Sequence, residues 1–170
     1  MRRLIERTWA RWPAWLAVSG LIAAFFVLTG SISARRPLWN DELFTYYTAI
    51  RPAFRDVWAV LLTGAEQSPP LFYVITRAGL SLFGVSEFGL RVFQTLGVAV
   101  AALSVYWFAR CRASSVCAAA GAIFLLCTSA YRYAYEARPY GLVLAFSGLA
   151  LLAWQRATDA EGRSRAGALA

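Results

Sequence analysis

Long stretches without a single charge limit what this chain can fold into more than any other feature. Ala14 to Ala34 is a charge-free run of 21 residues, and Val92 to Ala109 is a second of 18. Ala113 to Tyr131 and Pro139 to Gln155 are a third and a fourth. A helix rises about 1.5 Å per residue, so about 20 apolar residues cross a hydrocarbon core of about 30 Å. The composition agrees, with 59% hydrophobic and 15% charged residues. Soluble domains stand nearer 45–50% and about 25%. The pattern predicts an all-α polytopic membrane protein with spans at about 14–34, 92–109, 113–131 and 139–155. The small residues Ala118 to Ala122 in the third run predict a helix packed inside a bundle.

Arg2, Arg3, Arg7 and Arg11, interleaved with Trp9, Trp12 and Trp15, precede the first run as interfacial anchors. A signal peptide is the alternative there, but its apolar core is normally shorter. Pro69 to Gly84 is apolar too, yet short, with Arg77 in its middle. An Arg at mid-membrane costs at least about 2.5–3.5 kcal/mol on insertion scales. A juxtamembrane helix over 69–84 avoids that cost, and a fifth span is the alternative.

Four spans put Met1–Pro13, the Arg110–Arg112 turn and the tail from Arg156 on the inside. Those segments hold nine Arg against Glu6, Asp159 and Glu161. This follows the positive-inside rule and predicts an inside N-terminus, with residues 35–91 forming an outside loop. The polar tail 158–170 is expected to be disordered on the inside face.

All 17 cations are Arg, and there is no His. A His-based triad, a His general base and His metal ligands are therefore excluded within the chain. Cys111, Cys117 and Cys127 have no metal-binding spacing and read as reduced packing residues. The pI near 10.0 comes from Arg scattered around apolar spans, so nucleic-acid binding is set aside.

Three polar clusters remain. Just past the first span stands Asn40-Asp41-Glu42. Asn40 can cap a helix whose first turn holds the two carboxylates, and a carboxylate held there beside a membrane is also a well-placed base. The second cluster is Glu66-Gln67-Ser68-Pro69-Pro70, where the prolines can start a helix. Glu66 reads there as a loop residue, a substrate contact or a metal ligand. The third runs from Tyr131 to Tyr140 and holds Arg132, Glu136, Arg138 and four Tyr. Tyr and Arg also serve as interfacial anchors.

Taken in order, Asp41-Glu42, Pro69-Pro70-Leu71-Phe72-Tyr73, Phe83 to Arg91 and Glu136-Ala137-Arg138-Pro139-Tyr140 form a pattern. It resembles the N-terminal part of the polytopic glycosyltransferases of the C superfamily. The branch is the protein O-mannosyltransferase and aminoarabinose-transferase-like family of bacteria. The resemblance implies a polyprenyl-phosphate-sugar donor and a site on the outer face of the cytoplasmic membrane. It implies Asp41 as the catalytic position with Glu42 beside it, and Arg138 and Tyr140 at the donor site. Glu66 falls where some members have an acidic residue near a divalent metal, although their His partner is missing here. Such proteins usually have more spans. The resemblance covers about their first third, so a fragment, a truncated paralogue or one part of a split enzyme completed by another chain is expected.

Transfer of a sugar from a lipid phosphate needs a base for the acceptor hydroxyl and cations for the leaving phosphate. Asp41 suits the first role. Arg138 suits the second because guanidinium grips phosphate bidentately, and Arg77 or Arg91 could assist. No cofactor is required by this chemistry, and a divalent metal stays open. The rival reading is a small non-catalytic membrane protein, an assembly partner or lipid-binding module. A transporter half is disfavoured because the runs contain no internal repeat.

Overall fold

The computed structural model describes residues 14–168, and among them every regular element is helical. The anchors expected from Arg2 to Trp12 lie outside the described residues. Helix α1 (Ala14–Arg35) covers the first apolar run. The chain then bends by 88° into α2 (Asn40–Ala49). Next come two more short helices, α3 (Phe54–Leu62) and α4 (Pro70–Phe83). Pro70 opens α4 at a position where its missing N–H costs nothing. Gly84, with φ +83°, closes it in a conformation few side-chain-bearing residues adopt.

Helix α5 (Glu87–Arg110) begins five residues ahead of its charge-free run. The reason is local, since the hydroxyl of Ser86 accepts the amide of Gly89 at 3.1 Å and starts the helix early. Arg91 is thereby drawn into its first two turns. Helix α6 (Ser115–Cys127) is shorter than its apolar run. It stops because Thr128 turns extended and its hydroxyl accepts the amide of Ala130 at 3.2 Å. A 3-10 helix (Ser129–Tyr135) follows at 70°. The last element, α7 (Tyr140–Ala168), is one continuous helix. It runs on through Thr158–Ala168, the segment for which disorder was the expectation.

Helix α5 is the hub. Helices α1, α4, α6, α7 and the 3-10 segment all pack on it. Its contact with α7 is close because both carry glycine: a Cβ on Gly97 would lie 2.5 Å from the carbonyl oxygen of Gly141. Gly148 similarly faces Ser104. Helix α6, expected inside the bundle for its small residues, lies at the edge instead. Only Ala118 in it is buried, and Val116 and Phe124 are exposed. The small residues that bring backbones together belong to α4, α5 and α7.

Two cores result. One lies between the long helices around Phe25, Val98 and Ala134. The other joins Ala49, Val57, Phe72, Tyr73, Leu80 and Leu90 to Ala137, fastening α2, α3 and α4 over the start of α5. Helix α4 does not run the length of the bundle. Its Gly79 sits against Gly89, Val92 and Phe93, all near the start of α5. By length and composition α5 and α7 are each able to cross a membrane, and up to four spans are present if each bent pair counts as one.

Direction follows from the long-range bonds. Thr95 in α5 donates to the carbonyl of Ala134 at 2.6 Å, so the 3-10 corner lies by the start of α5. Gln155 in α7 donates to Phe108 at 3.1 Å, and Arg112 meets Asp159 at 3.5 Å, at the opposite end. The acidic doublet and the Arg–Tyr corner therefore occupy one end of the bundle, and the Arg110–Arg112 turn occupies the other.

Candidate active site

The end that gathers the start of α2, the start of α5 and the 3-10 corner is organised around one buried ion pair. Glu42 and Arg91 are both fully buried. Arg91 grips the carboxylate bidentately, Nε to Oε1 at 2.8 Å and Nη2 to Oε2 at 2.6 Å. Its other donors go to main-chain carbonyls in the last turn of α1 and just past it: Ser33 at 2.8 Å, Arg36 at 2.7 Å and Pro37 at 3.3 Å. A guanidinium has five N–H donors, and all five are used here. Glu42 is equally occupied. It also accepts the amide of Ala137 at 2.7 Å and the amide of Trp39 at 3.3 Å.

The Trp39 contact corrects the expected cap. Asn40 is the first residue of α2, and the cap residue is Trp39, whose free amide is met by Glu42 from one turn in. Glu42 thus ties α2 to its own start, to α5 and to the corner at once. Arg91 has no donor left for a lipid phosphate, and Glu42 presents no free carboxylate to an acceptor. The roles first expected of them, phosphate contact and catalysis beside Asp41, do not fit this geometry.

Asp41 is different. It occupies the first turn of α2 with its side chain exposed and without a hydrogen bond or ion pair among the described residues. Because Glu42 is bonded to Ala137, Asp41 and Arg138 are next in sequence to the two ends of one 2.7 Å hydrogen bond. The sequence separates them by almost a hundred positions.

Arg138 reaches Glu66, with Nη1 at 3.4 Å from each carboxylate oxygen. Its Nε is buried and has no partner among the described residues. Glu66 is held by the loop before α4, where Oε1 accepts the amides of Gln67 and Ser68 at 3.1 Å and the Ser68 hydroxyl at 2.7 Å. That donor set does not suit a metal ion. One carboxylate oxygen is taken by three protein donors, and the side chain faces a guanidinium. Among the described residues no three His, Cys, Asp or Glu side chains come together as a ligand group.

Tyr140 opens α7 with its side chain exposed, its ring 4.8 Å from that of Tyr133. Arg77 lies elsewhere. It donates to the carbonyls of Ala49 at 2.8 Å and Pro52 at 3.1 Å, and to that of Arg51. It closes the C-terminal end of α2, where a cation also meets the negative end of the helix dipole. The phosphate contact expected of it is not what this placement provides.

Sequence reading missed three participants. The Ala137 amide carried no signal. Glu136, buried and set between Arg132 at 3.4 Å and Arg36 at 3.9 Å, looked like one more interfacial charge. Tyr73 is fully buried beside this cluster. Burial, then the nearby Glu66 carboxylate, pushes its hydroxyl up to about 12. The spacing of Glu42 three residues after Trp39 was the one readable clue that Glu42 is a cap.

A family model described as dolichyl-phosphate-mannose-protein mannosyltransferase matches residues 67–170. The chain belongs to this family. The match includes α4, α5, Arg138 and Tyr140, and begins after the Asp41-Glu42 doublet. No curated protein and no solved structure matches the chain. Membership makes it a membrane protein of a mannosyltransferase family, and the apolar helices agree.

Proposed function

We propose that the protein acts as a glycosyltransferase that moves a sugar from a polyprenyl-phosphate donor to an acceptor hydroxyl on the outer face of the cytoplasmic membrane. In this reading its N-terminus lies inside. The observation that supports it is the Glu42–Ala137 bond, because Asp41 and Arg138 are the next residues along the chain on either side of it, and among the described residues Asp41 makes no side-chain bond and Arg138 leaves Nε unpaired.

Asp41 takes the proton of the acceptor hydroxyl as that oxygen attacks the anomeric carbon. The bond from that carbon to the phosphate oxygen breaks, and the phosphate leaves with the electron pair. Arg138 stabilises the charge developing on it through its remaining donors. A single displacement with the acceptor oxygen arriving opposite the departing phosphate inverts the configuration. A phosphate leaves as a weakly basic anion, so a second carboxylate acting as acid is unnecessary, unlike in a glycosidase. Tyr140, at the mouth of α7, borders the donor. The apolar faces of the long helices accommodate the prenyl tail. Among the four residues expected to surround the donor phosphate, this leaves Arg138 and Tyr140, with Arg77 and Arg91 holding α2 and α5 in place.

The test is Asp41→Asn in the native protein, assayed with a lipid-linked sugar. Transfer should fall by at least about a hundredfold, as expected for loss of a general base, while the membrane yield stays unchanged. Retained transfer removes Asp41 from the mechanism.

A further inference from the structure

Between α3 and the start of α4 lies an open groove of about 350 Å³ that the ion pairs above do not account for. That volume falls within the range of small-molecule sites. Trp58 and Leu62 form one wall, and Pro70 belongs to the other. Glu66, Gln67 and Ser68 supply the polar lining. Trp58 is 47% exposed, though its neighbour Val57 is fully buried and fixes the helix beneath it. Gln67 is exposed, and its side-chain amide makes no hydrogen bond among the described residues. Among the described residues Glu66 Oε2 meets only Arg138, at 3.4 Å, and so keeps acceptor capacity.

A flat aromatic wall beside an amide, a carboxylate and a hydroxyl is the chemistry that recognises a sugar ring. Such a ring has an apolar C–H face to lay on an aromatic and hydroxyls at its edge for polar groups. We infer that this groove binds the sugar ring of the lipid-phosphate donor, with Trp58 against the ring's apolar face and Gln67 and Glu66 on its hydroxyls. The inference rests on the donor reading above and adds to it the side chains that recognise the sugar. The link is Arg138. A phosphate on its remaining donors stands next to Glu66, so the sugar attached to that phosphate enters the groove.

The experiment measures binding to the native protein in nanodiscs, with polyprenyl-phosphate mannose and bare polyprenyl phosphate as separate probes. Wild type should bind the sugar-bearing lipid about tenfold more tightly, the order of one good aromatic contact plus a hydrogen bond. Trp58→Ala should erase that difference and leave the bare lipid unaffected, and Trp58→Phe should restore most of it. Gln67→Ala, at an exposed position with no packing to lose, should reduce the preference about threefold. The inference is overturned if Trp58→Ala preserves the preference. It is equally overturned if that change weakens both lipids alike, which is how a simple interfacial anchor behaves. A rise in acceptor KM alone would assign the groove to the acceptor and overturn the donor assignment. If wild type binds neither lipid, the donor reading itself fails, and this inference fails with it.

Discussion

Arg91 shows how a residue that reads from sequence as a phosphate contact can have its donors committed within the fold. From sequence it was an arginine at the head of an apolar run, a plausible phosphate contact. In the fold it is fully buried with every donor bound. Removing one partner of such a pair strands the other as an uncompensated buried charge, which costs about 3–5 kcal/mol. Arg91→Ala should therefore lower the thermal unfolding temperature in detergent sharply, and Arg91→Lys should not rescue it, because an ammonium cannot serve five fixed acceptors. A stable Arg91→Ala variant with only donor affinity reduced would restore the phosphate role. Arg77→Ala, which merely uncaps α2, should cost about 1 kcal/mol and leave lipid-phosphate binding unchanged. Tyr73 adds a pH signature. Its neutral form is favoured by burial, so the stability it contributes is complete below about 10 and is lost as pH rises toward about 12. Tyr73→Phe should remove that alkaline loss in unfolding measured against pH. None of these partners could be read from the sequence. Glu42 and Arg91 are 49 residues apart, and no local rule pairs them. Asp41 could be read, because its exposure follows from its place in the first turn of a helix whose next residue turns inward.

At the scale of elements, apolar run length served well where a helix crosses the bundle and poorly where backbone chemistry intervenes. The run 113–131 has the composition of one span, yet Thr128 ends the helix at Cys127 and starts a 3-10 turn. That break carries Ala134 to Thr95 and Ala137 to Glu42, so it builds the site. Small residues were read on the wrong helix, because composition shows where glycine and alanine cluster and not which face meets a partner. Their consequence is testable on α5 and α7. Gly97→Val would place side-chain atoms against the Gly141 carbonyl, with even a Cβ at 2.5 Å. The expected cost is about 1–3 kcal/mol in unfolding experiments, with a parallel loss of transfer as the corner shifts from α5. Gly20→Val on α1, where a Cβ meets nothing within 4 Å, is the control and should change little.

For the whole molecule, one layer of long helices supports a cap of short ones. Lipid can solvate the outward apolar faces, while α2, α3 and α4 sit across one end and frame the polar junction. The number of apolar runs and the proximity of the two polar clusters both follow from the sequence, since each run carries the chain from one end of the bundle to the other. Joint action of Asp41 and Arg138 on one donor depends on that parity, which requires α4 to stay at one end and not cross. Single cysteines at positions 40 and 138, placed in a background with the three native cysteines replaced, test it directly. Labelling with a membrane-impermeant maleimide should modify both positions in right-side-out vesicles and neither in sealed inside-out ones. If the two positions react from opposite sides, Asp41 and Arg138 are in different compartments and cannot act on one donor.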